Sequence, residues 1–334
     1  VSARISGVTG HLPPRYVTSA ATEAKLTRRS NGFRPPAGII ERASGIRGRH
    51  VAPAGWHASD LAATAAAKAL ADVGLGILDI DLLIFASASQ DLVEPATAHI
   101  VADLLGARCP VFDVKNACNS MLNAVQVGHA LVQCGQYRHV LICSGETPSR
   151  AVRWAVSGLP QFATSFAGYT LSDCGAALVI SGDLPGATLI AQGHHADSTA
   201  WRAGTLPGGG SRFPRDLERS YFELDGSRLR EAFESIDPRV VHDVLEAAEV
   251  RWGQVGLVAV HQVTVPYLTS FLHRCGIARD LVELTVDEHG NCASASLPLQ
   301  LHLAATAGRI GPGDVVVLVG LAGGISVSTM VLRW

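Results

Sequence analysis

The sequence predicts an α/β fold made of two similar halves, stacked as helix, sheet, helix, sheet and helix. Three observations lead there. Short, continuous apolar runs alternate with helical stretches, the pattern of strands covered on both faces. The same order of landmarks occurs twice along the chain. And 334 residues with 48% hydrophobic and 17% charged content can bury more core than one small domain requires.

In the first half, Leu82–Ala86 reads as a buried strand, Thr97–Leu105 as a helix stopped at Gly106, and Val111–Val114 as a second strand. Asn119–Val132 is a long apolar helix closed by Gly135, and Val140–Ser144 is a third strand. The second half repeats the order. Leu257–Val260 is a strand, Leu268–Arg274 a helix ending at Gly276, and Glu283–Val286 a strand. The helix Ala295–Thr306 and the strand Val315–Val319 complete the series. Matching landmarks stand roughly 170 to 176 residues apart. The halves are expected at residues 1–183 and 184–334. The stretch Gly193–Arg219, with Gly208-Gly-Gly210, is expected to be a surface loop.

Charge and composition narrow the function. A net charge of −2 gives no electrostatic reason to bind nucleic acid or an anionic membrane. Apolar runs such as Val315–Val319 are too short to span a bilayer. The opening Val1-Ser2-Ala3-Arg4 lacks the long apolar run of a signal peptide. Seven cysteines, an odd number with no CxxC spacing, suggest neither a disulfide framework nor a zinc site; a reducing cytoplasm fits.

The duplication has a chemical consequence, because corresponding loops at the strand ends meet at the centre. Cys118, in Asp113-Val-Lys-Asn-Ala-Cys-Asn-Ser-Met, follows a strand and opens a helix. A helix N-terminus favours a thiolate and offers N–H groups to an oxyanion. A small buried core thiol is the plain alternative, and the expected state of Cys109, Cys134, Cys143 and Cys275. His261, just after a buried strand, supplies an imidazole that can donate or accept a proton; His289 is its rival. Asn291, in His289-Gly-Asn-Cys, is either a turn residue or a non-titrating donor for an enolate or carbonyl oxygen. Gly323-Gly324 is a turn or a place where backbone N–H groups approach a ligand.

The Cys118 segment, His261-Gln262, His289-Gly290-Asn291, Ala293–Pro298 and Gly323-Gly324 together resemble the β-ketoacyl-acyl-carrier-protein synthase III enzymes of the thiolase superfamily. The likeness runs from Ser44-Gly-Ile-Arg-Gly-Arg-His50 to the end of the chain. It implies a thiolase-like five-layer αβαβα fold and a homodimer. It also implies a Cys118, His261 and Asn291 triad that loads an acyl group and performs a Claisen condensation. The oxyanion hole would come from the N–H groups of Cys118 and Gly323. Coenzyme A or acyl-carrier-protein thioesters would be substrates, with no further cofactor and no metal.

Ser89-Gln-Asp-Leu-Val-Glu-Pro-Ala-Thr-Ala98, Gly145-Glu-Thr147, Leu171–Ala177 and His261-Gln-Val look like the head-to-head condensing enzymes of bacterial long-chain olefin biosynthesis. In those enzymes a glutamate from the partner subunit acts as base, and Glu94 occupies the matching position. A glutamate favouring a helix start is the alternative. Many synthase III enzymes clamp adenine with a Trp where Ile39 stands here; Phe33 or Trp56 could replace it. The stretch Pro148–Gly168, with Trp154, Phe162 and Phe166, is expected to shape an acyl pocket or cover its entrance. Phe166, Trp154 and Arg47 are the substrate-binding candidates. Acyl transfer to an alcohol, an amine or a carrier protein is the alternative outcome, and a silent binding subunit a further one.

Overall fold

The computed structural model describes residues 2–334. Nine strands form the main sheet: β1 Arg4–His11, β2 Leu82–Ala86, β3 Val111–Val114, β4 His139–Glu146, β5 Cys174–Ser181, β6 Ala187–Ala196, β7 Val255–Val260, β8 Val315–Ala322 and β9 Ser326–Arg333. Their order is β7-β8-β9-β6-β1-β5-β4-β2-β3. Among the described residues, the strands of the two sides pair only through Arg4 with Thr188 and Ile5 with Ala187, between β1 and β6.

On either side of that seam the pairing repeats. β1 is antiparallel to β5, β5 to β4, and β2 runs parallel to both β4 and β3. Likewise β6 is antiparallel to β9, β9 to β8, and β7 runs parallel to β8. The helices Ser120–Gln133 and Ser296–Thr306 lie between the two sides, where Met121, Leu122 and Val125 pack with Leu297, Leu299 and Leu301. Alternate residues of each strand serve different layers, as a period of two requires. Leu82, Ile84, Leu257 and Ala259 face the central helices. Leu83 and Phe85 face the outer helices Ala58–Val73 and Thr97–Leu105. Val258 and Val260 face Arg239–Ala247 and Val265–Cys275. These are the five layers, and burial on both faces explains why the strands read as unbroken apolar runs.

Two expectations need correction. Glu283–Val286 is not a strand; only Val282 pairs, with Val258 of β7. The side chain of Gln262 replaces the ladder: its Nε2 donates to Glu283 O at 2.6 Å, and its Oε1 accepts from the N–H groups of Thr285 and Val286, each at 3.0 Å. Backbone groups satisfied by a side chain need no neighbouring strand. The chain then enters a short helix, Val286–His289. The stretch Gly193–Arg219 is also not all loop. Gly193–Ala196 belongs to β6 and pairs with β9, and Gly204–Thr205 pairs with Glu223–Leu224.

Candidate active site

Cys118 lies in a tight turn between β3 and the helix Ser120–Gln133. Ala117 is left-handed, with φ of 46°, an uncommon conformation for a residue with a Cβ. The turn is locked from within. Ser120 Oγ donates to Ala117 O at 2.7 Å and accepts from the Asn116 N–H at 2.8 Å, while the Asn119 N–H donates to Asn116 O at 3.0 Å. Cys118 keeps some contact with solvent. Its thiol is nevertheless pushed up to about 12, mainly by burial and further by the Glu146 carboxylate, against the pull of its own backbone N–H. This corrects the expectation of a thiolate favoured by the helix start: desolvation outweighs it.

The turn is seated against the second half. Asn119 Nδ2 donates to Ser328 Oγ at 2.7 Å, and Asn116 Nδ2 to Ser326 Oγ at 3.2 Å, both serines being on β9. A Cβ on Gly320 of β8 would lie 2.2 Å from Asn119 Oδ1, so only glycine admits this approach. One residue away, Val319 O accepts from the His261 N–H at 2.8 Å. That bond carries β7 pairing to its end and fixes His261 beside the Cys118 turn. The imidazole is 1% exposed, and neither ring nitrogen has a partner among the described residues. Burial holds it at about 4, so it is neutral near pH 7.

Asn291 lies on the loop after Val286–His289, seated against the Thr170–Ser172 strip. Its N–H donates to Thr170 O at 2.9 Å, and its carbonyl accepts from the Ser172 N–H at 2.8 Å. Gly290, before it, has φ of 73°, and a Cβ there would crowd Thr170 O at 2.9 Å. Buried Arg49 braces the same strip, donating to Gly168 O and Leu171 O at 3.1 and 3.2 Å. Gly323 lies in the turn between β8 and β9, followed by Gly324 and Ile325, both with positive φ.

The other candidates separate. Glu94 is exposed and has no hydrogen bond or ion pair among the described residues, so a single chain does not bring it to Cys118. Phe166 lines a cavity of about 360 Å³ together with Ile39, Leu159, Phe162 and Leu224. Phe33 packs on Phe162 at 5.5 Å. Trp154 does not line that cavity; Lys25 Nζ sits 3.5 Å above its ring. Arg47 is paired on the surface with Asp287 and Glu288, at 2.9 and 2.7 Å. His289, the rival imidazole, is engaged with His50 at 3.3 Å. Among the described residues, no cluster of three or more His, Cys, Asp or Glu side chains could hold a metal ion. No helix there is long and apolar enough to cross a membrane.

Glu146, read in the sequence only within Gly145-Glu-Thr147 and given no role there, is fully buried at the end of β4 and accepts from Ser294 Oγ at 2.5 Å. The signal was available: a carboxylate directly continues an apolar strand, and a buried charge needs partners.

Known proteins match this architecture. The family model for 3-oxoacyl-[acyl-carrier-protein] synthase III matches residues 112–198, and the model for its C-terminal part matches 245–334. β-Ketoacyl-[acyl-carrier-protein] synthase III of Thiobacillus denitrificans is 32% identical over 99% of both chains. That of Cereibacter sphaeroides is 32% identical over 100% of this chain and 99% of its own. Among solved structures, Xanthomonas campestris OleA with bound lauric acid and lauroyl-CoA, a cysteine-to-serine variant, superposes with a TM-score of 0.89 at 24% identity, covering 100% of this chain and 99% of that one. A glutamate-to-aspartate variant of the same protein gives 0.88 at 25% identity, covering 100% and 97%. With both halves matched and full-length relatives above 30% identity, this chain belongs to the 3-oxoacyl-[acyl-carrier-protein] synthase III family of the thiolase superfamily.

Proposed function

We propose that this chain is a condensing acyltransferase that loads an acyl group on Cys118 and joins it to a second thioester by a Claisen reaction. The observation that carries the reading is His261: a buried, neutral imidazole with no partner among the described residues, fixed beside a cysteine at the start of a helix. Leaving both ring nitrogens unpaired is costly unless a ligand uses them.

The first thioester is a coenzyme A or acyl-carrier-protein derivative. Cys118 attacks its carbonyl, and the thiol proton leaves with the departing thiol, since a group held near 12 does not ionise beforehand. The oxyanion is met by the N–H groups of Cys118 and Gly323. A second thioester then loses an α-proton to a carboxylate, and its enolate oxygen accepts from His261 and Asn291. The enolate carbon attacks the acyl group, and the sulfur of Cys118 leaves and recovers a proton from that carboxylic acid.

Glu94 is the base in this scheme, supplied by the partner subunit of a homodimer. Support comes from its exposure between exposed Leu92 and Val93 and the nearby edge strand β3, whose Phe112 is also exposed. The apolar cavity beside Phe166 suits the alkyl part of a substrate. All seven cysteines are free, which suits a reducing cytoplasm.

The test is intact-protein mass spectrometry after incubation with acyl-thioesters. The expected result is one acyl adduct on Cys118, absent from Cys118→Ala, followed by a carbon–carbon coupled product. Folded protein with no adduct across a broad thioester panel would refute the scheme.

A further inference from the structure

Glu146 is the last residue of β4, where it pairs with Cys174 of β5. The matching ladder in the second half ends with Ala322 paired with Ser326. The fold therefore closes this position with alanine in one half and a carboxylate in the other. The half with the carboxylate is the one that carries Cys118.

Every contact of that carboxylate is with a donor. Oε1 accepts from the Ala88 N–H at 2.8 Å, the Ser294 N–H at 3.2 Å and Ser294 Oγ at 2.5 Å. Oε2 accepts from the Ser89 N–H at 3.1 Å and Ser89 Oγ at 2.8 Å. Five donors and no acceptor suit the ionised form. Ser144 Oγ, 2.8 Å from Ser294 Oγ, extends the network.

These donors come from two functional segments. Ser294 follows Asn291 by three residues. Ala88 and Ser89 begin the segment that ends in Glu94. That segment is also braced at its far side, where Asp91 Oδ1 accepts from the Ala58 N–H and Thr97 Oγ1 accepts from the Asp91 N–H. Leu92, Val93, Glu94 and Pro95, between Asp91 and its partner Thr97, project into solvent.

We propose that Glu146 is a positioning residue for the condensation, its buried carboxylate clamping the base of the Glu94 segment to the Asn291 turn. The proposal rests on the condensing function above. Glu146 also acts on Cys118 by charge: it raises the Cys118 thiol, as it does the Cys174 thiol, and favours the charged form of Lys115. Removing the charge therefore has a readout that a purely structural role would not move.

The experiment compares wild type with Glu146→Gln in three measurements. Acyl loading of Cys118 should stay within a few-fold. Condensation kcat should fall by about 10²-fold, the scale of a misplaced catalytic group. Alkylation of Cys118 by iodoacetamide at pH 9 should quicken, because removing the Glu146 charge takes away one of the causes that raise the thiol. Condensation within a few-fold of wild type overturns the proposal, whatever the alkylation rate. Should Glu146→Gln fail to fold, Ser89→Ala keeps the charge and loosens one side of the clamp. Slower condensation with an unaltered alkylation profile supports the clamp, and unchanged condensation overturns it. If wild type itself forms no carbon–carbon product, the condensing function fails, while the alkylation comparison still tests the charge of Glu146 on the sulfur.

Discussion

The Ala293 N–H donates to Asn291 Oδ1 at 2.9 Å, which fixes which end of the carboxamide is spent. The acceptor is engaged, and the Nδ2 group donates to no protein atom among the described residues. A group held this way presents N–H protons to a ligand and cannot titrate. In Asn291→Asp, one oxygen keeps the bond to Ala293 and the other replaces donor with acceptor. Condensation should fall by about 10²-fold or more, the usual cost of losing one oxyanion donor. Acyl loading of Cys118, which precedes enolate formation, should change little. Single-turnover loading measured beside product formation separates the two steps, and equal losses in both would contradict the assigned role.

Burial lowers His261 from 6.5 to about 4, and this makes fold stability depend on pH. Above 6.5 the imidazole is neutral in both states and contributes no slope. As pH falls from 6.5 toward 4, the unfolded chain takes up a proton that the folded chain refuses. The folded state then loses about 3 kcal/mol across that window. His261→Gln removes this contribution, so its stability should decline less steeply with acid. Burial also lowers His11, His50, His129, His194 and His289, but these are common to both proteins and cancel in the comparison. Urea midpoints at pH 4.5 and pH 7 suffice. Parallel curves would mean that the ring is hydrated in solution.

Much of the architecture was legible because strand and helix periods are local. The apolar runs at Leu82–Ala86 and Val315–Val319 and the glycine stops at Gly106 and Gly276 all name their elements directly, and both glycines take the left-handed conformation. The failure at Glu283–Val286 has a tertiary cause: Gln262, more than twenty residues away, satisfies that backbone with its side chain. The state of the Cys118 thiol was misread for a similar reason. Its helix start is local, but the burial and the Glu146 charge that outweigh it come from distant chain. The ion pairs of Arg47 are a different case, because its exposed partners Asp287 and Glu288 lie across the fold and no spacing announces them.

A thiol held near 12 should be slow toward simple alkylating agents, since the thiolate is the nucleophile. Cys134, expected in the core, is instead exposed, on the surface at the end of the helix that begins beneath Cys118. Iodoacetamide at pH 7.5 should therefore label Cys134 ahead of Cys118. Labelling of Cys118 should climb about tenfold for each pH unit up to pH 10. Under the proposed mechanism acyl-thioesters should show the reverse preference, because the assigned oxyanion donors and the His261 imidazole serve Cys118. Peptide mapping after timed quenching reads both orders. Fast alkylation of Cys118 with a plateau near neutral pH would mean a preformed thiolate and a different route to the acyl-enzyme.

Glu94 gives the sharpest test of how the site is assembled, because its side chain is exposed and unpaired within one chain. If it serves the partner's Cys118, two inactive variants should rescue each other. Glu94→Gln should still load an acyl group but not couple two unactivated thioesters, and Cys118→Ala should do neither. Random exchange of subunits makes half of the dimers mixed, each with one intact site, so coupling should return to about a quarter of the wild-type level. A base working within its own chain would give no rescue, because the mixed dimer would then contain no subunit with both groups. The order of addition distinguishes the cases further. Dimers labelled before mixing and not allowed to exchange should stay inactive, and activity should rise at the rate of subunit exchange. Coupling by Glu94→Gln alone at the wild-type rate would remove Glu94 from the chemistry and leave decarboxylation of a malonyl-type thioester as the source of the enolate.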